Sequence, residues 1–345
     1  MMRFVPSLRT LQVVLLAAAC TSSFSQSTRA APAGGSNLRP AAAPVAPWPT
    51  KPIRLLIGFP AGSVQDLSAR AFAEPLSKAL GQPVFVENKA GASGTIAAEQ
   101  VAKATDQHTF GVMNNSQLTI AKLLNPAVSY DPAKDLAPIA LIGTTPLVMV
   151  VSKAATGKTG VELLTWLRNQ GDKANYGSPG AGTPAHLGME LVKSRSGVQA
   201  MHVPYPGNPQ LITAMLGGQL QAALLPPGLA MQQIHAGKMK VIGVTSERRS
   251  MLAPELPTLR EVGIMGADME LFTALAGPAS LPAAVRDKLG AAVIGVLKSD
   301  KVRQRLITIG WQPAPSTAEG LRVRMNNDMK NLGGIIMMLG VMSDS

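Results

Sequence analysis

Tyr176-Gly177-Ser178-Pro179-Gly180-Ala181-Gly182-Thr183-Pro184-Ala185-His186-Leu187 is the stretch from which the fold is read. It has the form of a strand end, a glycine-rich bend and a helix start. Thr183 suits an N-cap, whose hydroxyl accepts from one of the helix's unpaired first N–H groups. Pro184 suits the first helical position, where a missing N–H costs nothing. The glycines leave the backbone bare, so several N–H groups can face one small volume, and the positive helix end favours a phosphate or carboxylate there. Ile53 to Phe59, followed by Pro60-Ala61-Gly62-Ser63-Val64-Gln65-Asp66, repeats the design, with a helical pattern from about Leu67. Two such entrances, far apart in sequence, predict two lobes offering N–H groups to one anion. Each alone is also an ordinary tight turn between strand and helix. Neither ends in Gly-Lys-Ser/Thr, so neither is a P-loop.

The 345 residues suffice for two domains, each with its own core. The formal net charge of +12 is scattered, and only three Tyr and three Trp are available for stacking, so a nucleic-acid binder with a basic, aromatic-studded stripe is excluded. Arg3 and Arg9 precede a short apolar run, Leu11 to Cys20, and a Ser/Thr-rich tail to Ala30. That describes a signal peptide over 1–30, too short in its apolar part to span a bilayer, and 31–50, rich in Ala, Pro and Gly, is a flexible leader. Cys20 is the only cysteine, and Ala17-Ala18-Ala19-Cys20 loosely resembles a bacterial lipoprotein cleavage box. The mature body then has no disulfide and no thiol nucleophile, which fits the periplasm for a core of this size.

Strands and helices alternate along most of the body, which predicts parallel sheets with helices on both faces. The helix after the first loop contains Pro75, where a kink is expected. Asn114-Asn115-Ser116 follows the strand Thr109–Met113, at the kind of strand end where open α/β sheets bind ligands, although turn chemistry explains it equally. Thr159/Glu162 and Thr258/Glu261 are capping boxes opening helices. Asn208 reads as the cap of another helix, with Pro209 in its first turn. Pro146–Ser152 and Leu271–Ala276 are apolar runs that can cross between lobes.

The four histidines, at 108, 186, 202 and 235, form no metal-binding spacing, and no cofactor motif is present. Ser178 is not in a Gly-x-Ser-x-Gly elbow, and Pro179 removes the N–H that would complete an oxyanion hole. His186, in the first turn of its helix, reads as a neutral ring donating to a nearby carbonyl, with a catalytic base as the other reading. Asp66 caps its helix, or else fixes the loop or accepts from an ammonium-bearing ligand.

Trp48 to Leu56, Phe59 to Asp66, Leu80-Gly81-Gln82-Pro83-Val84 and Asn88 to Gly94 resemble the receptors of tripartite tricarboxylate transporters, the Bug family. So do Tyr130 to Asp135, the central loop to Leu187, His202-Val203-Pro204-Tyr205, Gly217-Gly218-Gln219, Ala236-Gly237-Lys238 and Val244 to Arg249. The resemblance runs from about Trp48 to the C-terminus in the family's order. It implies a two-lobed α/β periplasmic binding protein fold, type II-like, each lobe a mainly parallel sheet flanked by helices. Lobe 1 would hold 51–147 and 273–345, and lobe 2 would hold 148–272. The implied function is an extracytoplasmic receptor, not an enzyme, that binds a small carboxylate in the interlobe cleft. Its partners would be the membrane components of the transporter, and it would be a monomer. A hydrolase-like enzyme on the same scaffold, or a sensor feeding a signalling partner, is the alternative.

Carried onto this chain, the first-lobe ligand contacts are Ala61, Gly62, Ser63, Val64 and Asp66. The second-lobe contacts are Ser178, Gly180, Gly182, Thr183 and His186, while Asn115, Ser116 and Tyr205 line the walls. Ser63 stands where the family commonly has a second glycine. Gln221 and Leu225-Pro226 stand where it often has acidic and amide side chains. An apolar wall there matches an ammonium poorly, so the expected ligand is a monoacid or an acid with an apolar body.

Overall fold

The computed structural model describes residues 48–341; the signal peptide, the leader as far as residue 47 and Cys20 lie outside them. Eleven strands among the described residues form two sheets. The first contains β1 (Ile53–Ile57), β2 (Val84–Asn88), β3 (Thr109–Asn114), β4 (Leu136–Pro146), β10 (Glu270–Pro278) and β11 (Gln312–Ser316), in the order β11-β4-β10-β3-β1-β2. The second contains β5 (Val148–Ser152), β6 (Asn175–Ser178), β7 (Met201–Pro204), β8 (Ala222–Leu225) and β9 (Met239–Val244), in the order β7-β6-β8-β5-β9. Both are mixed. β1 pairs in parallel with β2 and β3, and β6 in parallel with β7 and β8. β10 and β11 in the first sheet and β5 in the second run antiparallel to their neighbours.

The antiparallel members follow from the connections between lobes. Leu147 alone separates β4 from β5, so the chain passes from one sheet into the other without a helix to reverse it. Thr245 fastens this crossing to the return crossing: its hydroxyl accepts from Leu147 N (2.9 Å) and donates to Met269 O (2.6 Å), and its own N–H bonds Leu147 O. The C-terminal helix (Ala318–Leu339) spans both cores. Leu321 and Met325 pack with first-sheet residues, and Leu332 and Ile336 with those around the second sheet.

Local sequence explains the elements. Central β1 is a nearly continuous apolar run because both faces are covered, whereas edge strand β2 leaves Phe85 exposed. The first helix (Val64–Leu80) starts three residues earlier than its apolar pattern, because Ser63 caps it, and it ends at Gly81 in the left-handed region. Pro75 lies inside this helix, and Arg305 of a neighbouring helix reaches the carbonyl of Ala71, four residues before it, at 3.5 Å. At Thr258–Glu261 both capping-box bonds form, yet the segment is a series of turns and not a helix.

Candidate functional site

The first entrance is a braced loop. Asp66 accepts from Gly62 N (2.9 Å), Arg70 Nε (3.0 Å) and Asn88 Nδ2 (2.9 Å). Burial pushes its carboxyl up, but these bonds outweigh that and hold it below the usual carboxylate value. Asp66 is therefore committed to the loop and is not offered to a ligand ammonium. Gly62, at φ 80°, spends its N–H on the same brace, and Ser63 N bonds Pro60 O. The N–H groups of Val64 and Gln65, at the start of a 17-residue helix, have no protein acceptor among the described residues.

The second entrance is braced by aromatic stacking. Thr183 caps the helix Pro184–Ser196 as expected, accepting from His186 N. Gly182 N donates to His186 Nδ1 at 2.9 Å, so this ring nitrogen is an acceptor rather than the expected donor to a carbonyl. The His186 ring stacks on His202 at 3.9 Å between centroids, and His202 stacks on Tyr176 at 5.0 Å. Ser178 is fully buried and its hydroxyl donates to Gly180 O (2.8 Å), leaving it to accept from His202 Nε2 (2.7 Å) and Gly180 N (3.2 Å). Ser178, Gly180, Gly182 and His186 thus shape the loop. The N–H groups of Ala181 and Ala185 have no protein partner among the described residues.

Burial, and then the neighbouring His186, push the His202 imidazole down to about 4, with Lys193 acting the same way and Glu190 opposing. The folded value lies below the unfolded one, so the unfolded chain takes up the proton first. The stabilisation is complete above about pH 6.5 and is lost as pH falls toward 4. At full value the shift is worth about 3 kcal/mol, and partial exposure reduces it to about 1–2 kcal/mol. Scanning calorimetry is expected to show a melting temperature that declines between pH 6.5 and 4.5, and a flatter decline in His202→Asn. An unaltered slope would count against this assignment.

The two entrances meet at a cavity of about 20 Å³. From the first lobe it is lined by Phe59, Val64, Gln65 and Asn114; from the crossings by Leu147 and Leu271; from the second lobe by Pro179, Thr183, Pro184, Ala185, Asn208, Leu224 and Pro226. None of these carries a charge. Three carboxamides stand in the wall instead. Gln65 and Asn208 are buried, and their side-chain carboxamides have no hydrogen-bond partner among the described residues, while the Asn114 carboxamide uses only its oxygen, accepting from Ser116 N. The helix Asn208–Leu216 also begins here, its cap being Gly207, so Asn208 does not cap it as its sequence suggests. Four helix N-termini, at Val64, Pro184, Asn208 and Pro227, thus lie at or next to a charge-free cavity with unpaired donors. Such a site attracts an anion.

The tripartite tricarboxylate transporter family receptor profile matches residues 68–341. The chain belongs to that family. A UPF0065 protein of Bordetella pertussis is 32% identical over 295 residues, covering 85% of this chain and 91% of the relative. The solved periplasmic binding protein BugD superposes with a TM-score of 0.81 at 28% identity, covering 86% of this chain and 99% of BugD. The R. palustris protein Rpa4515, solved with adipate, gives 0.82 at 26% identity, covering 85% of this chain and 98% of that protein. The two-lobed binding-protein fold is thereby established, in a family of receptors and not of enzymes.

Within this receptor fold, some predicted contacts move. Val64 and Thr183 line the cavity, while Ala61 belongs to the loop that carries Gly62 and Ser63. Asn115 is turned to the crossing strand: its oxygen accepts from Phe272 N (2.9 Å), and its Nδ2 donates to Asp328 of the C-terminal helix. Asn114 takes the cavity position because neighbouring residues at the end of β3 face opposite ways. Tyr205 packs against the cluster under the helix Asn208–Leu216, and Ser116 lines a different compartment. On β8 the apolar wall is Leu224 and Pro226; Leu225 points into the core, and Gln221 accepts from Asn175 N.

Proposed function

We propose that this receptor closes its lobes on a small carboxylate in the periplasm and presents it, as a monomer and without chemical conversion, to the membrane components of a tripartite transporter. The observation that carries the reading is the charge-free cavity, where unpaired helix N–H groups and the carboxamides of Gln65, Asn114 and Asn208 converge. Rpa4515 with adipate is a relative whose ligand is of the same class. The wall refines that class. As the lobes stand, the cavity of about 20 Å³ holds little more than one water, so the acid enters as they part; Phe59, Leu147, Leu224, Pro226 and Leu271 then suit its apolar body, and no lining carboxylate pairs with an ammonium.

A thermal-shift screen of the mature protein against simple acids tests this. A ligand at about 100 times its Kd stabilises the folded state by about 2.7 kcal/mol, a shift of several degrees. Monoacids with short apolar bodies are expected to stabilise, to be recovered unchanged, and to outperform aspartate and glutamate. Stabilisation by the amino acids alone, or conversion of the bound acid, would overturn the proposal.

A further inference from the structure

Asn88 to Gly94, one of the stretches that carry the family resemblance, ends in a turn wound in the left-handed sense. Gly91, Ala92, Ser93 and Gly94 all have positive φ, at 143°, 46°, 53° and 92°. Glycine adopts such angles freely, but Ala92 and Ser93 do not, and strained backbone of this kind persists where its surroundings over-determine it. Gln117, fully buried, supplies part of that hold. Its Nε2 donates to Gly94 O at 3.1 Å, and its Oε1 accepts from Asn114 N at 3.0 Å. The turn is thus fastened to the backbone of a residue that lines the carboxylate cavity. It presents the Ser93 hydroxyl to the second lobe, where it donates to Ala181 O of the central loop at 2.7 Å.

The central loop is shaped to receive it. A Cβ on Gly180 would stand 2.4 Å from Ser93 Oγ, and one on Gly182 would stand 2.3 Å from Leu124 Cδ1, also of the first lobe. These glycines are bare where the first lobe arrives. Ala181 shortly precedes Thr183, which lines the carboxylate cavity and caps the helix Pro184–Ser196. We propose that Ser93 is a positioning residue for ligand retention: on closure its hydroxyl catches the central loop at Ala181 and holds Thr183 and its helix end over the bound acid. This rests on the closing receptor described above. Ser93 does not line the carboxylate cavity, so its effect falls on how long the closed form lasts and not on capture of the acid by the open one.

The test uses the mature protein and the straight-chain monocarboxylates from acetate to hexanoate, with Kd from calorimetry and koff from ligand exchange in NMR spectra. Ser93→Ala is expected to weaken binding about fivefold, roughly the loss of one hydrogen bond, through a faster koff with kon within about twofold of the parent. Ser93→Gly separates the hydroxyl from the shape of the turn, because glycine fits φ 53° without strain. It is expected to lose the same affinity while melting no lower than Ser93→Ala. Ala92→Gly loosens the same turn but keeps the hydroxyl, and its affinity is expected to stay within about twofold of the parent. An unchanged koff in Ser93→Ala, affinity restored by Ser93→Gly, or an equal loss in Ala92→Gly would each overturn the inference and leave the carboxylate site standing. If no monocarboxylate binds the parent, both readings fail.

Discussion

Gln65→Glu is expected to weaken carboxylate binding by about 100-fold or more while lowering the melting temperature of the unliganded protein by only a few degrees. The carboxamide at residue 65 is 3% exposed and lines a cavity in which no side chain is charged. A glutamate of nearly the same shape places a full negative charge beside the bound anion. Two such charges about 5 Å apart repel by about 3 kcal/mol at an effective dielectric constant of 20, and the desolvated setting does not reduce this. Without ligand the same charge sits in the first turn of a 17-residue helix, where the macrodipole offsets about 0.3–1 kcal/mol of the cost of burying it. The fall in affinity should therefore be far larger than the fall in stability, and a retained cooperative melt separates it from misfolding. Gln65→Met is the control: it removes a hydrogen bond without adding charge and is expected to cost about 5- to 15-fold. Titration calorimetry and thermal melts on the three proteins give the answer. A glutamate variant that binds within tenfold of the parent would show that the anion lies elsewhere.

How far the sequence alone leads depends on whether a residue's role is set locally. Thr183 is a recognisable cap because capping needs only the three following residues, and the cap forms; Ser63 caps the first helix by the same local rule, although the apolar pattern points to a start near Leu67. The two entrances converge as their shared design implies. Asp66 and His186 are the right residues in the right loops, but their roles depend on distant partners. Asn88, on the neighbouring strand, helps claim the Asp66 carboxylate, and His202, on β7, lies against the His186 ring. Asn208 satisfies every local rule for a cap; the helix nevertheless begins one residue earlier, which frees its side chain for the cavity. The choice between Asn114 and Asn115, and between Leu224 and Leu225, turns on one residue of strand register. A shift of one position exchanges the faces. Ser116, expected at the wall of the carboxylate site, instead faces a compartment completed by the second lobe's loop, which only the folded chain brings near.

Gly228→Ala is expected to lower ligand affinity by about 30- to 100-fold without touching the cavity wall, because it holds the lobes apart. Gly228 lies in the helix Pro227–His235 of the second lobe, and a Cβ there would stand 2.1 Å from the carbonyl oxygen of Ile309 in the first. The obstacle is backbone, flanked by Gly310 N at 3.0 Å, so no side-chain rotation relieves it. Closure of the lobes must stop short. If the closed state is disfavoured by about 2–2.7 kcal/mol, the fraction competent to hold ligand falls in proportion, and the apparent Kd rises by the factor given. Within the open protein the exchange is favourable, since alanine in a helix is worth up to about 1 kcal/mol over glycine. Each lobe should therefore melt no lower than before. Small-angle scattering with saturating acid is expected to show a smaller contraction than the parent shows under the same conditions. Gly207→Ala, whose Cβ would meet Pro60 Cδ at 2.7 Å across the same interface and whose extended backbone suits any residue, should reproduce the effect more weakly, because a proline ring yields more readily than a backbone carbonyl. Full affinity and full contraction in Gly228→Ala would mean that binding does not require the lobes to approach as closely as they do here.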